Sequence, residues 1–133
     1  GDRDSDKGLL KQTYLTSNLS PMTMVCNSGP WKAVEDSCRR LALYHGKLLC
    51  AAGIIPEYCD TISPGEKKIF VPSRFWKMAK CLIHPDETWI WIVQNSPSWS
   101  APVRISRKEL EHVLPTAVRN TGVLDNLFSL GLN

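Results

Sequence analysis

At Trp89-Ile90-Trp91-Ile92 the chain alternates two tryptophans with two isoleucines. Successive side chains of a strand point to opposite faces, so this run is apolar on both of them and reads as a strand buried on both. Such a strand demands a covered sheet. The chain's five tryptophans could otherwise suggest a platform for stacking bases. Core packing is the stronger reading for most of them: Trp76 also sits beside Phe75 and near Met78, among residues that fill interiors. Trp99, between Ser98 and Ser100 after Pro97, is the one expected at the surface, where a loop tryptophan can touch a partner.

A helix is predicted from Pro30. Proline suits the first helical position, where a missing N–H costs nothing, and Ser28 or Gly29 can serve as the cap. Trp31, Val34, Cys38, Leu41 and Ala42 then recur at helical spacing as a buried stripe, leaving Lys32, Glu35, Asp36, Arg39 and Arg40 off it. Gly46 is the natural stop, and Leu48-Leu49-Cys50-Ala51-Ala52 reads as a buried strand. With a strand-like Tyr14-Leu15-Thr16-Ser17-Asn18 upstream, the order is strand, loop, helix, strand.

That order gives Asn27 a meaning. Its amide oxygen stands at a helix entrance, and Glu35 and Arg39 follow one helical turn apart on a shared face. An oxygen ligand, a carboxylate and a guanidinium are the parts needed to hold a divalent cation against a phosphate. Each also has a plainer role. Glu35 and Arg39 at i,i+4 make an ordinary surface ion pair worth about 0.2–0.5 kcal/mol, and an asparagine before a helix is commonly a cap or turn residue.

The flanking pattern resembles the DNA/RNA non-specific endonucleases, the ββα-metal (His-Me finger) family that includes endonuclease G. That family shows a Y-L-S-N strand, a Ser/Ala-Pro-Gln loop and N-x-G-x-W-x-x-L-E-x-x-x-R. Here the chain has Tyr14 to Asn18, Ser20-Pro21-Met22, and Asn27, Gly29, Trp31, Glu35 and Arg39 at fitting spacing. Ile69-Phe70-Val71-Pro72-Ser73-Arg74-Phe75-Trp76-Lys77 is similar to its V-P-T-H-F-F-K-V segment. Trp91-Ile92-Val93-Gln94-Asn95-Ser96-Pro97 is similar to its strand ending in Pro-Asn, and Val103 to Ser106 with Glu109-Leu110-Glu111 to its last strand and acidic helix.

The resemblance implies an α+β fold, a twisted, mainly antiparallel sheet with packed helices, spanning residues 1–133 as one domain. It implies metal-assisted hydrolysis of DNA and RNA phosphodiesters by water. Asn27 would bind Mg²⁺, Glu35 would hold one of the ion's waters, Arg39 would offset charge developing on the phosphate, and Asn18 would position the loop or the base. Arg40, Arg74 and Lys77 are candidate nucleic-acid contacts, and a homodimer is a common state in the family. The family's general-base histidine belongs to an Asp-Arg-Gly-His motif that would fall before Gly1. Asp2-Arg3-Asp4 echoes its first letters without a histidine, and His45, His84 and His112 match no catalytic position.

The chain is accordingly read as the carboxyl-terminal, metal-binding portion of such an enzyme, with the histidine supplied by another segment or a second chain. The alternative is a non-catalytic nucleic-acid-binding or protein-interaction domain on the same scaffold. Further departures are Met22 in place of the usual glutamine, and Gly53-Ile54 where Gly-Pro is usual.

Charge and cysteine usage set the outer bounds. A net charge of +3 permits contact with a phosphate backbone without demanding it. Five cysteines, odd in number and without a Cys-x-x-Cys pair, give no zinc signal; Cys38 and Cys50 read as buried free thiols, while Cys59 in a Pro/Gly-bounded loop could pair in a secreted protein. No run is long enough to cross a bilayer, and none of these residues is expected to act as a signal peptide, which leaves the compartment open. Residues 1–8 are expected to be loose, the stretch from Pro56 to Lys68 a loop turning at Pro64-Gly65, and the tail amphipathic helix around Val123 to Leu130.

Overall fold

The computed structural model describes residues 21–56, 60–62, 69–84 and 86–130. The Tyr14–Asn18 strand, residues 1–8, Cys59 and the Pro64-Gly65 turn lie outside them. Among the described residues two helices come first, α1 (Met24–Ser28) and α2 (Pro30–His45), followed by strands β1 (Leu48–Ile54), β2 (Asp60–Ile62), β3 (Ile69–Val71), β4 (Arg74–Cys81), β5 (Thr88–Gln94) and β6 (Val103–Ile105). The described chain closes with α3 (Arg107–Val113), α4 (Thr116–Arg119) and α5 (Val123–Ser129).

Four strands form an antiparallel sheet in the order β1-β4-β5-β6. Ala51 pairs with Met78, Met78 with Ile90, and Ile90 with Ile105, so one register line crosses all four strands. β2 and β3 make a separate antiparallel hairpin. This corrects one expectation, since Asp60–Ile62 lies within the stretch read as loop. Three residues are too few to show a period, and only pairing with Ile69–Val71 makes the strand.

Alternation along the strands sorts the core into two clusters. Leu48, Cys50 and Ala52 of β1, Phe75, Ala79 and Cys81 of β4, and Trp91 and Val93 of β5 pack with Trp31, Val34 and Cys38 of α2. Trp31 meets Phe75 with ring centroids 5.6 Å apart. On the opposite face Ala51, Trp76, Met78, Ile90 and Ile92 pack with Leu110, Leu114 and Leu124 from the last helices. β5 is therefore covered on both faces, as its run of Trp and Ile requires.

Helix ends explain themselves locally. α2 begins on Pro30 at its first turn and stops at Gly46, whose φ of 90° is open to glycine and whose N–H closes on the Ala42 carbonyl. α3 starts in a capping box, the Ser106 hydroxyl accepting from the Glu109 N–H while the Glu109 carboxylate accepts from the Ser106 N–H. α5 sets Leu124 inward with Leu127 and Phe128 against the same cluster, the amphipathic tail anticipated from its pattern. Among the described residues no helix is long and apolar enough to cross a membrane.

Candidate active site

The loop entering α1 is fastened to one end of the sheet. The Thr23 N–H donates to Asn95 Oδ1 at 2.8 Å, and Asn95 Nδ2 donates to the carbonyls of Pro21 (3.1 Å) and Pro72 (2.7 Å). Thr23 also donates its hydroxyl to the Ser96 carbonyl at 2.7 Å while accepting from the Cys26 N–H, which caps α1. One amide at the end of β5 thus holds three backbone groups, two of them more than seventy residues away along the chain. This role of Asn95 is not legible in the sequence, because its partners lie on distant segments.

Asn27 lies near the end of α1 and is exposed. It stands within a helical turn rather than in a loop before the main helix. α1 and α2 break at Gly29, which caps α2 without a side-chain bond and whose N–H returns to the Val25 carbonyl. A Cβ at Gly29 would stand 2.7 Å from that same oxygen, so the junction requires glycine on steric grounds. The sharp break aims the two helices separately while keeping Asn27 next to the start of α2.

Glu35 is half-buried and Arg39 exposed on α2, four residues apart and on one face. Arg39 Nη1 bonds Asp36 Oδ1 at 3.0 Å, and Lys32 Nζ reaches the other oxygen of Asp36 at the same distance. The Lys32 hydrogen bond leads the causes that hold the Asp36 carboxyl below its ordinary range, with Arg39 adding to it. Arg40 is exposed and donates to the Ser37 hydroxyl at 3.2 Å. Arg74 is half-buried at the start of β4, at the sheet end that carries Asn95.

Lys77 is 2% exposed, with its ammonium 5.3 Å from the centre of the Trp31 ring. It was expected at the nucleic-acid surface, yet it alternates with Phe75 and Ala79 and so points beneath α2. Its charge bears on the thiols of Cys38 and Cys50 there. The Cys38 thiol is raised above its ordinary pKa, first by its hydrogen bond with Cys50 and then by burial; Lys77 opposes this and Glu35 reinforces it. Glu35 and Lys77 thus act on one buried thiol from the helix and from the sheet. Cys26, Cys38, Cys50 and Cys81 are all buried free thiols.

The potential metal ligands fall into two kinds. Asn27 and Glu35 offer oxygen atoms and suit a hard cation. His45, Cys81 and Glu87 offer nitrogen, sulfur and oxygen at the far end of α2. Asn18 lies outside the described residues.

An open four-stranded antiparallel sheet with helices on its faces, entered by a helix pair carrying an amide, a carboxylate and a guanidinium, defines an α+β protein. The model of the DNA/RNA non-specific endonuclease family matches residues 1–118, and the chain belongs to that family. Membership implies non-specific nuclease chemistry with DNA and RNA as substrates. No curated protein matches the chain.

Proposed function

We propose that this chain supplies the metal- and phosphate-binding part of a Mg²⁺-dependent endonuclease of ββα-metal type that cleaves DNA and RNA alike. The family match across residues 1–118 carries this reading. Its support in the fold is the exposed Asn27 amide beside the start of a helix that bears Glu35 and Arg39 at the family's spacing.

The residues fit a hard cation, because neutral amide and carboxylate oxygens are the donors Mg²⁺ takes while keeping much of its water. When bound, Mg²⁺ would supply electrostatic stabilisation to the phosphate in the transition state. Asn27 would give the direct protein ligand. The Glu35 carboxylate would accept a hydrogen bond from a water and fix its orientation. Arg39, steadied by Asp36, would direct its remaining N–H groups toward phosphate oxygens. Arg40 and Arg74 would contact the nucleic-acid backbone, and Asn18 would position the loop or the base. Lys77, buried under α2, would act by its charge and packing rather than by touching substrate.

A general base is still required, and a histidine from an Asp-Arg-Gly-His segment, in a preceding stretch or a second chain, would provide it. Such a base contributes about a hundredfold to ten-thousandfold, so this chain by itself should cleave poorly. The test joins the chain to that segment and measures cleavage of plasmid DNA and of RNA. Both are expected to be cut in Mg²⁺ and spared after chelation, and Asn27→Ala should abolish cutting while circular dichroism shows the fold unchanged. Full activity of Asn27→Ala would remove the metal role. Magnesium-independent binding without any cleavage would favour the non-catalytic alternative.

A further inference from the structure

The carboxyl end of α2 meets the β4–β5 hairpin around three unlike ligands. His45 Nδ1 lies 3.1 Å from Glu87 Oε2, and one ligand atom from each of His45, Glu87 and Cys81 lies within 4.8 Å of the others. We infer that His45, Cys81 and Glu87 form a second metal site, for a zinc-like divalent transition-metal ion. It is separate from the Asn27 end of the molecule. α2 has 16 residues, so its two ends stand about 22 Å apart.

Donor chemistry chooses the metal. Thiolate, imidazole and carboxylate together suit Zn²⁺ and its neighbours, whereas Mg²⁺ prefers oxygen alone. Size is also right. Tetrahedral bonds of about 2.0–2.3 Å to N, O and S put ligand atoms roughly 3.3–3.7 Å apart; the His45–Glu87 pair, at 3.1 Å, is already close to that spacing, so closing the set needs a shift of at most about 1 Å. Glu87 is 44% exposed at its side chain and Cys81 is fully buried, which leaves the fourth coordination position to water on the Glu87 side.

The surroundings resemble those of a bound thiolate. The His84 N–H donates to Cys81 Sγ at 3.3 Å, three residues on, in the turn geometry that stabilises sulfur ligands. Backbone bonds lock the hairpin, Cys81 N–H to the Glu87 carbonyl at 3.0 Å and Glu87 N–H to the His84 carbonyl at 2.9 Å. The Leu82 N–H reaches the Lys47 carbonyl, tying the hairpin to the helix exit. On the helix side, Gly46 turns the chain at once after His45, and the imidazole packs 5.1 Å from the Trp89 ring centre. The Cys81 thiol lies 3.9 Å from the His45 carbonyl. Metal binding would replace that weak contact with a sulfur–metal bond and release the thiol proton to solvent. No Cys-x-x-Cys spacing announces the site, because its ligands come from the end of α2 and from the β4–β5 hairpin, which only the fold joins.

The experiment strips the purified chain with chelator and titrates it with Co²⁺, whose thiolate charge-transfer absorption reports sulfur ligation, followed by Zn²⁺. One equivalent of Co²⁺ should give that band with tetrahedral visible absorption, one equivalent of Zn²⁺ should bleach it, and excess Mg²⁺ should leave it unchanged. Cys81→Ser should lose the band, and Glu87→Gln, on a half-exposed side chain, should weaken Co²⁺ binding by about tenfold or more. Absence of the band, or its survival in Cys81→Ser, overturns the site. Should Cys81→Ser fail to fold, Glu87→Gln decides alone, and unchanged Co²⁺ affinity is then the overturning result. None of these readouts depends on nuclease activity.

Discussion

Asn95 shows how much one side chain can organise. Its amide accepts from Thr23 and donates to Pro21 and Pro72, satisfying three backbone groups at a half-buried position. Asn95→Ala would strand all three, and with each unsatisfied group costing about 1–3 kcal/mol where water cannot replace the bond, a loss of about 3 kcal/mol, the low end for three groups at a half-buried position, is expected. Urea denaturation checks it. Asn95→Asp should be at least as damaging, because an oxygen then faces the Pro21 and Pro72 carbonyls in place of a donor. The contrast with Asn27, Glu35 and Arg39 is one of range. Their spacing lies within a dozen residues and was readable directly, whereas Asn95 acts on residues 72 and 74 positions away along the chain. Lys77 was misplaced for a different reason: its charge argued for the surface, but the strand period shared with Phe75, Ala79 and Cys81 sets it inside.

Among the elements, α1 and α3 separate site geometry from stability. At Gly29 a methyl group would collide with the Val25 carbonyl, and since that oxygen is backbone, no side-chain rotation relieves it. Gly29→Ala is therefore expected to re-aim α1 and cut Mg²⁺-dependent cleavage of the reconstituted enzyme at least tenfold, a drop of about 1.4 kcal/mol in transition-state stabilisation. Ser106→Ala should behave in the opposite way. It removes the cap of α3 for about 1 kcal/mol of stability, and α3 packs on the face of the sheet away from α2, so cleavage should stay as it was. Equal losses of activity in the two variants would contradict this division. α2 is legible from its apolar stripe, a local signal, whereas α3 is anticipated through the likeness of Glu109-Leu110-Glu111 to the family's acidic helix. α1 and β2 are legible in neither way. Five and three residues are shorter than either period needs, and α1 owes its form to Thr23 and to its attachment at the end of β5.

At the scale of the whole molecule, the sheet has helices on both faces, and thiols are concentrated on the α2 side. Cys26, Cys38, Cys50 and Cys81 all belong to that cluster. Burial pushes the Cys26 thiol from an ordinary 9.0 up to about 11, so the folded state holds its proton more tightly than the unfolded chain does. The sign follows from that difference. Below about pH 9 both states keep the proton and the favourable contribution is complete; between about pH 9 and 11 the unfolded chain gives up its proton first, and stability falls. Lysines and tyrosines titrate in the same window, so the comparison that isolates this thiol is the parent against Cys26→Ala. In urea melts from pH 8 to 11 the parent should lose stability more steeply than the variant, and parallel curves would mean that Cys26 meets water in the native protein. Alkylation gives an independent check at pH 8. Reagent should reach Cys26, Cys38 and Cys50 only at the rate of opening, since the contacts that bury them run from α1 through α2 into β1, and peptide mapping by mass spectrometry would show all three labelled together as urea approaches the unfolding midpoint.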